Sequence, residues 1–182
     1  PIDRLRQAAR ELAEWRDFDG AWRREPFDRD AELQRVLLAV RELDRLSAQT
    51  ASKRDTLYLD TRFARELAHD VSLAERFDAA DPDGWEARVV DLAQNRDFRR
   101  ARKGRGHAYG GDVDREAVWS AFETLTGELD AFQRAADADL AALLHEELSG
   151  VVEGYQELKQ RAGAVDFVDL LLRARDLLVE HP

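Results

Sequence analysis

The sequence predicts an all-α fold, an irregular bundle with one long helix. Apolar residues recur at helical steps of three and four along nearly the whole chain. Only 10 glycines and 4 prolines serve 182 residues, too few punctuators for the many turns of an all-β protein. No stretch alternates with a period of two strongly enough to predict a strand.

The elements follow in chain order. Ile2, Leu5, Ala9 and Leu12 make a helical stripe ending near Trp15. The aromatics Trp15, Phe18, Trp22 and Phe27 then crowd a stretch in which Gly20 and Pro26 break helix; such a group is more often a small core under a turn than a stacking platform. Asp28 or Asp30 caps the next helix, whose stripe is Leu33, Val36, Leu37, Val40 and Leu43 and which runs to Ser47. Residues 48–55 are polar and read as a loop. A helix over 56–77 follows, with Leu59, Phe63, Leu67 and Val71 or Ala74 on one face. Asp81-Pro82 is a helix start, an N-cap before proline at the first helical position. The helix after it carries Trp85, Val89 and Leu92. Gly104, Gly106, Gly110 and Gly111 then predict a flexible connection.

Asp114 reads as the cap of the longest element. Val118, Phe122, Leu125, Leu129 and Phe132 alternate steps of four and three, a heptad seam. Through Ala136, Leu140, Leu144 and Leu148 every step is four, a discontinuity that bends or unwinds a seam. Gly127, Gly150 and Gly154 allow a kink. Gly163 reads as the stop. Asp166 and Asp169 then set up a well-formed start, with Val165 and Leu170 as a hydrophobic staple. Leu170, Leu171, Ala174, Leu177 and Leu178 are the expected buried face of the last helix.

Composition excludes several chemistries. Without cysteine there is no disulfide, thiolate metal site or thiol nucleophile. No apolar run reaches the length of a membrane span and no signal peptide opens the chain, so the expected compartment is cytoplasmic and no membrane partner is expected. Methionine is absent, even at position 1, and residues 1–182 read as one helical domain excised from a larger protein.

Enzyme motifs fail one by one. His145-Glu146-Glu147-Leu148-Ser149 begins like a zinc-protease helix but has serine at the second histidine position. Asp78, Asp81, Asp83 and Gly84 have the wrong spacing for a calcium loop, and Pro82 intrudes. Gly104-Arg105-Gly106 lacks the Lys-Ser/Thr of a phosphate loop. Carboxylate pairs such as Asp137 and Asp139 are too common in a chain with 38 acids to mark a site. No catalytic, metal-binding or cofactor-binding residue is assigned.

One window stands apart. The chain carries 28 basic and 38 acidic residues, a net charge of −10. Between Gln94 and His107 the balance reverses: Arg96, Arg99, Arg100, Arg102, Lys103 and Arg105 face one acid, Asp97, which leaves 22 basic against 37 acidic residues elsewhere. Guanidinium forks suit phosphate oxygens, and glycines let backbone N–H groups approach them. His107 and Tyr109 can add stacking or hydrogen bonds to a base or sugar. A basic helix end also complements the helix dipole, but two or three cations suffice for that. These eight residues are the candidate DNA-binding set, for backbone contact without sequence readout.

The last thirty residues resemble a known family. Tyr155-Gln156-Glu157-Leu158-Lys159, then Gly163, then Val165-Asp166-Phe167-Val168-Asp169-Leu170-Leu171-Leu172 resembles the stretch of UvrD/Rep-type superfamily 1 DNA helicases that leads to the Walker B strand. With the arginine–glycine window it looks most like the AddA/RecB-like helicase–nuclease branch. Val168 stands where many members carry an acid. The resemblance implies the accessory subdomain called 1B, with 164–182 returning towards the motor domain. It implies a role in DNA repair or recombination beside an ATP-driven 3′→5′ motor. ATP and Mg²⁺ would belong to the motor domains of the same polypeptide, and the segment itself would hydrolyse nothing. A partner subunit of a helicase–nuclease is a further implied partner. The residues also admit a helical protein–protein module that docks a partner through the seam or acidic faces, and an independent enzyme with a diffuse carboxylate site.

Overall fold

The computed structural model describes residues 2–16, 27–77, 79 and 81–180. Phe18, Gly20, Trp22, Pro26, Asp78 and His181 lie outside them. Eight helices and one two-stranded hairpin account for the secondary structure of the described residues, so the class is all-α. The chain divides into two compact units, Phe27–Asp137 and a second made of Pro1–Pro26 with Ala138–Pro182.

The 27–137 unit holds the hydrophobic core. Helix α2 (Arg29–Ser47) starts where Asp28 Oδ1 accepts the Ala31 N–H at 3.1 Å, and its expected stripe, Leu33 to Leu43, is buried throughout. It packs chiefly on α4 (Arg62–Arg76) through Ala64, Leu67, Ala68 and Val71. The helix expected over 56–77 is two helices: α3 (Thr56–Asp60) ends one residue before α4 begins. The cause is Thr61, fully buried, whose hydroxyl donates back to the Leu57 carbonyl at 2.8 Å. A β-branched hydroxyl bonded to the preceding turn bends a helix. Leu59, expected inside, is exposed as a result of the shortened α3.

Helix α5 (Pro82–Gln94) starts as Asp81-Pro82 predicts, with Asp81 Oδ1 accepting the Gly84 N–H at 3.0 Å. A one-turn helix, α6 (Arg96–Arg99), follows behind an Asn95 cap and buries Phe98 completely. The glycine-rich stretch forms a hairpin, β1 (Ala108–Gly110) with β2 (Val113–Asp114), which sequence patterning missed. Helix α7 (Arg115–Ala162) leaves β2 directly. Its first N–H donates to the His107 carbonyl at 2.8 Å, and Asp114, expected to cap it, is instead paired with Ala108. The heptad seam from Val118 to Phe132 is buried at every position. Phe27 meets Phe132 edge-on, with ring centroids 5.9 Å apart, so this member of the aromatic group belongs to the core. The boundary between the units falls within α7, at Asp137, where the apolar step has just changed to a run of fours.

The other unit contains α1 (Ile2–Glu14), the remainder of α7 and α8 (Phe167–Glu180). Neither α1 nor α8 buries a residue. The face of α8 expected inside (Leu170, Leu171, Ala174, Leu177, Leu178) is exposed. The helices of this unit are joined by a cluster of ion pairs. Asp166 and Asp169 form the expected reciprocal box, each carboxylate accepting the other's backbone N–H at 3.0 and 2.9 Å. The Arg16 side chain, only 3% exposed, donates to both carboxylates at 2.5 and 2.8 Å. Lys159 pairs with both as well, and the Tyr155 hydroxyl donates to Asp166 at 3.2 Å. One clasp thus ties α1, the end of α7 and the start of α8.

Hydrogen bonds from Lys159, then from the Asp166 backbone N–H and from Arg16, hold the Asp169 carboxyl down at about 2. Asp166 lies well below the usual carboxylate range, chiefly through Lys159. A carboxyl depressed in the folded state stabilises above its unfolded value, about 3.9, and that stability is lost as pH falls through the folded value. The stability advantage of the native chain over D166N/D169N, measured by thermal unfolding of the circular dichroism signal, is therefore full above about pH 4. It shrinks as pH falls and vanishes only below about pH 2, under both folded values. A pH-independent difference would show that the two carboxylates do not titrate as a clasp.

Candidate nucleic-acid interface

The basic window runs from α6 to β1, and its two ends are built differently. Phe98 is its anchor: it lies under α6 and meets Phe122 of α7 edge-on at 5.1 Å. With Phe98 pointing inward, Arg96 and Arg100 face outward, both exposed and without an ionic or hydrogen-bonded side-chain partner among the described residues. Arg99 turns the other way. Its guanidinium donates to the Ala93 carbonyl at 2.7 Å and pairs with Asp130 at 2.8 Å, tying α6 to α5 and α7. Arg99 is an internal tie more than an outward contact.

Beyond α6, residues 101–107 form an irregular segment, exposed except for the half-buried Ala101 and Lys103. Asp60 Oδ2 accepts both the Arg102 backbone N–H, at 3.0 Å, and the Arg102 Nε, at 3.2 Å, while the Arg102 side chain stays 75% exposed. Lys103 pairs with Glu116. Arg105 and His107 are exposed, and the Arg105 side chain has no partner among the described residues.

Tyr109 leaves the candidate set. Its ring is buried and its hydroxyl donates to the Ser47 carbonyl at 3.0 Å, so no face is open to a base. Burial pushes its phenol up to about 12. The glycines also serve the interior. Gly104 has φ +78°, and a Cβ there would sit 3.0 Å from Arg115 Nη1; a Cβ on Gly110 would fall 1.9 Å from the Gln49 carbonyl oxygen. The left-handed φ at Gly104 and close backbone packing at Gly110 explain these two without any phosphate.

Arg115 organises the site. Its side chain is 7% exposed and grips Asp55 with both terminal nitrogens, at 3.0 and 2.6 Å. It also donates to the Lys103 carbonyl at 3.0 Å and lies over the Tyr109 ring. Arg115 first of all, through its hydrogen bonds, holds the Asp55 carboxyl below its ordinary value. This one guanidinium joins the 48–55 loop to the basic window. Lys53 and Arg54, which immediately precede Asp55, are exposed.

A second segment adds a cation. A hollow of about 350 Å³ is lined by Arg100 and Arg102 together with Asp60, Arg62, Phe63 and Asp97. Arg62 lies over the Phe63 ring at 4.2 Å, which covers that aromatic face. The surface therefore gathers cations from two separated stretches, Arg62 and the window itself. A linear charge run shows only the second, because Arg62 joins it through folding. Aromatic rings near this surface, Phe63 and Tyr109, are covered or buried, so what it presents outward is charge.

Among the described residues no cluster of three or more His, Asp or Glu could hold a metal ion. No described helix is long and apolar enough to cross a membrane. No protein-family model, curated protein or solved structure matches the chain.

Proposed function

We propose that the 27–137 unit binds the phosphate backbone of DNA, as the accessory subdomain of an ATP-dependent 3′→5′ helicase of the UvrD/Rep type acting in repair or recombination. The observation that carries the binding is the convergence of exposed cations from two segments, Arg62 with Arg100 and Arg102, on one folded surface of a chain whose net charge is −10. The helicase assignment rests on the resemblance of residues 155–172. In that setting the surface would guide duplex while the motor domains of the same polypeptide, with their ATP and Mg²⁺, pull one strand. Its lack of open aromatic faces favours contact that ignores sequence.

Salt titration of a labelled DNA duplex tests the binding. If about five phosphates are neutralised, log affinity falls with log salt at a slope of roughly −4 to −5. Arg96, Arg100 and Arg105 hold no partner that folding depends on, so R96A/R100A/R105A should keep its stability. It should flatten the slope by about 3. Unchanged binding in that variant removes the assignment.

A second reading has its own observation. Phe167, Leu170, Leu171, Leu177 and Leu178 on α8 are all at least half exposed. An apolar face of that kind marks an interaction surface, and a partner subunit or the motor domains would cover it. The two readings concern different units of the chain and are compatible.

A further inference from the structure

The cations of the window fall into two classes that charge counting does not separate. Arg96, Arg100 and Arg105 face solvent with no ionic partner among the described residues, whereas Arg102, Lys103 and Arg99 each hold a carboxylate of another element: Asp60 at the end of α3, and Glu116 and Asp130 on α7. These acids are not neighbours in sequence of the cations they meet; the fold brings them there.

We propose that Asp60 and Glu116 are built-in counter-anions that set how tightly this surface holds a nucleic-acid backbone, whereas Asp130 serves the internal tie of Arg99. The inference rests on the DNA-binding reading and specifies how that same site is tuned. A phosphate that takes Arg102 or Lys103 must displace a carboxylate already satisfying it. Asp60 cannot swing away freely, since it also accepts the Arg102 backbone N–H and its side chain is 18% exposed. Glu116 is mostly exposed and yields more easily. The incoming phosphate therefore gains the difference between two anionic partners, not a full contact. The unpaired arginines supply attraction, and the paired ones supply contacts that break readily. A surface built this way grips a polyanion weakly and releases it fast, which suits a strand or duplex that must move past it.

The carboxylates also affect salt dependence. An acid left beside a bound phosphate takes up a counterion, which offsets one released from DNA. Removing the acids should therefore steepen the slope as well as tighten binding.

The experiment uses the full chain and a short labelled DNA duplex, read by fluorescence anisotropy over a range of salt. In D60N/E116Q the side-chain amide oxygen introduced at position 60 still accepts the Arg102 N–H. Each pair is worth a factor of roughly two, so the double variant should bind about fourfold tighter at low salt, with a steeper slope. E116Q alone touches no buried group, and it should bind about twofold tighter, keeping the test intact if the double variant folds poorly. Equal or weaker binding by these variants, with R96A/R100A/R105A still weakened, overturns the counter-anions and leaves the DNA-binding reading standing. Failure of the native chain and of both charge-neutralised variants to bind removes both. Tight binding by the neutralised variants alone supports the proposal in its strongest form.

Discussion

Replacing Phe98 by alanine is expected to cost about 4 kcal/mol, the largest loss from any single truncation near the candidate interface. The ring is fully buried and meets Phe122 edge-on, and Phe122 in turn stacks on Trp119 at 5.0 Å. Deleting it removes apolar burial and an aromatic pair and leaves a void between a one-turn helix and α7. A helix as short as α6 has little stability of its own. It is held by the Asn95 cap, by Arg99 and above all by this side chain. With the anchor gone, Arg96 and Arg100 lose their fixed orientation. Chemical denaturation should show the midpoint falling, and phosphate binding should weaken although no cation has been removed. Phe98→Leu, which refills most of the volume, should recover more than half of the stability. If Phe98→Ala unfolds no more easily than the native chain, α6 does not rest on that ring.

Several parts of this architecture are readable before folding because they are periodic or local. The seam from Val118 to Phe132 is visible as steps of four and three, and all five residues are buried. The Asp166–Asp169 box is visible because its bonds close within four residues. Asp81-Pro82 is readable for the same reason. What is not readable depends on distant partners. The break at Thr61 arises only when its hydroxyl is buried and must bond backwards. The hairpin is short, and its place is set by the 49–51 backbone packing on Gly110 and by the Ala51 N–H donating to the Tyr109 carbonyl at 2.9 Å. The apolar pattern of α8 announces a face to be covered without saying by what, and the described unit leaves it open. The interface follows the same rule. Its linear half is evident as a charge run, but Arg62 joins through α4, and the removal of Tyr109 and the diversion of Arg99 follow from where Phe98 and Ser47 sit.

Arg115→Met is the second large effect, expected at about 3 kcal/mol, because it strips a nearly buried carboxylate of its only cation. Asp55 would keep the Leu57 N–H, donated to its Oδ1 at 2.9 Å as the cap of α3, but one neutral donor does not balance a charge. The Lys103 carbonyl loses its donor at the same time. The cost of the single variant is thus mostly the penalty of the charge left behind, and the second variant should reveal this. D55N/R115M retains the cap oxygen and removes that charge, so it should be more stable than R115M, by about 1 kcal/mol. Acidic pH should narrow the gap between the native chain and R115M, since the Asp55 carboxyl is depressed in the fold and its contribution fades as pH falls below about 4. Because this guanidinium touches both Asp55 and the Lys103 carbonyl, R115M should also lose affinity for DNA, even though its own charge is too buried to meet a phosphate. The pattern separates it from R96A/R100A/R105A. The surface variant lowers affinity and flattens the salt slope at constant stability, whereas R115M lowers stability and affinity together and is partly rescued by D55N. Failure of D55N to rescue would mean that the charge left on Asp55 is not what makes R115M costly.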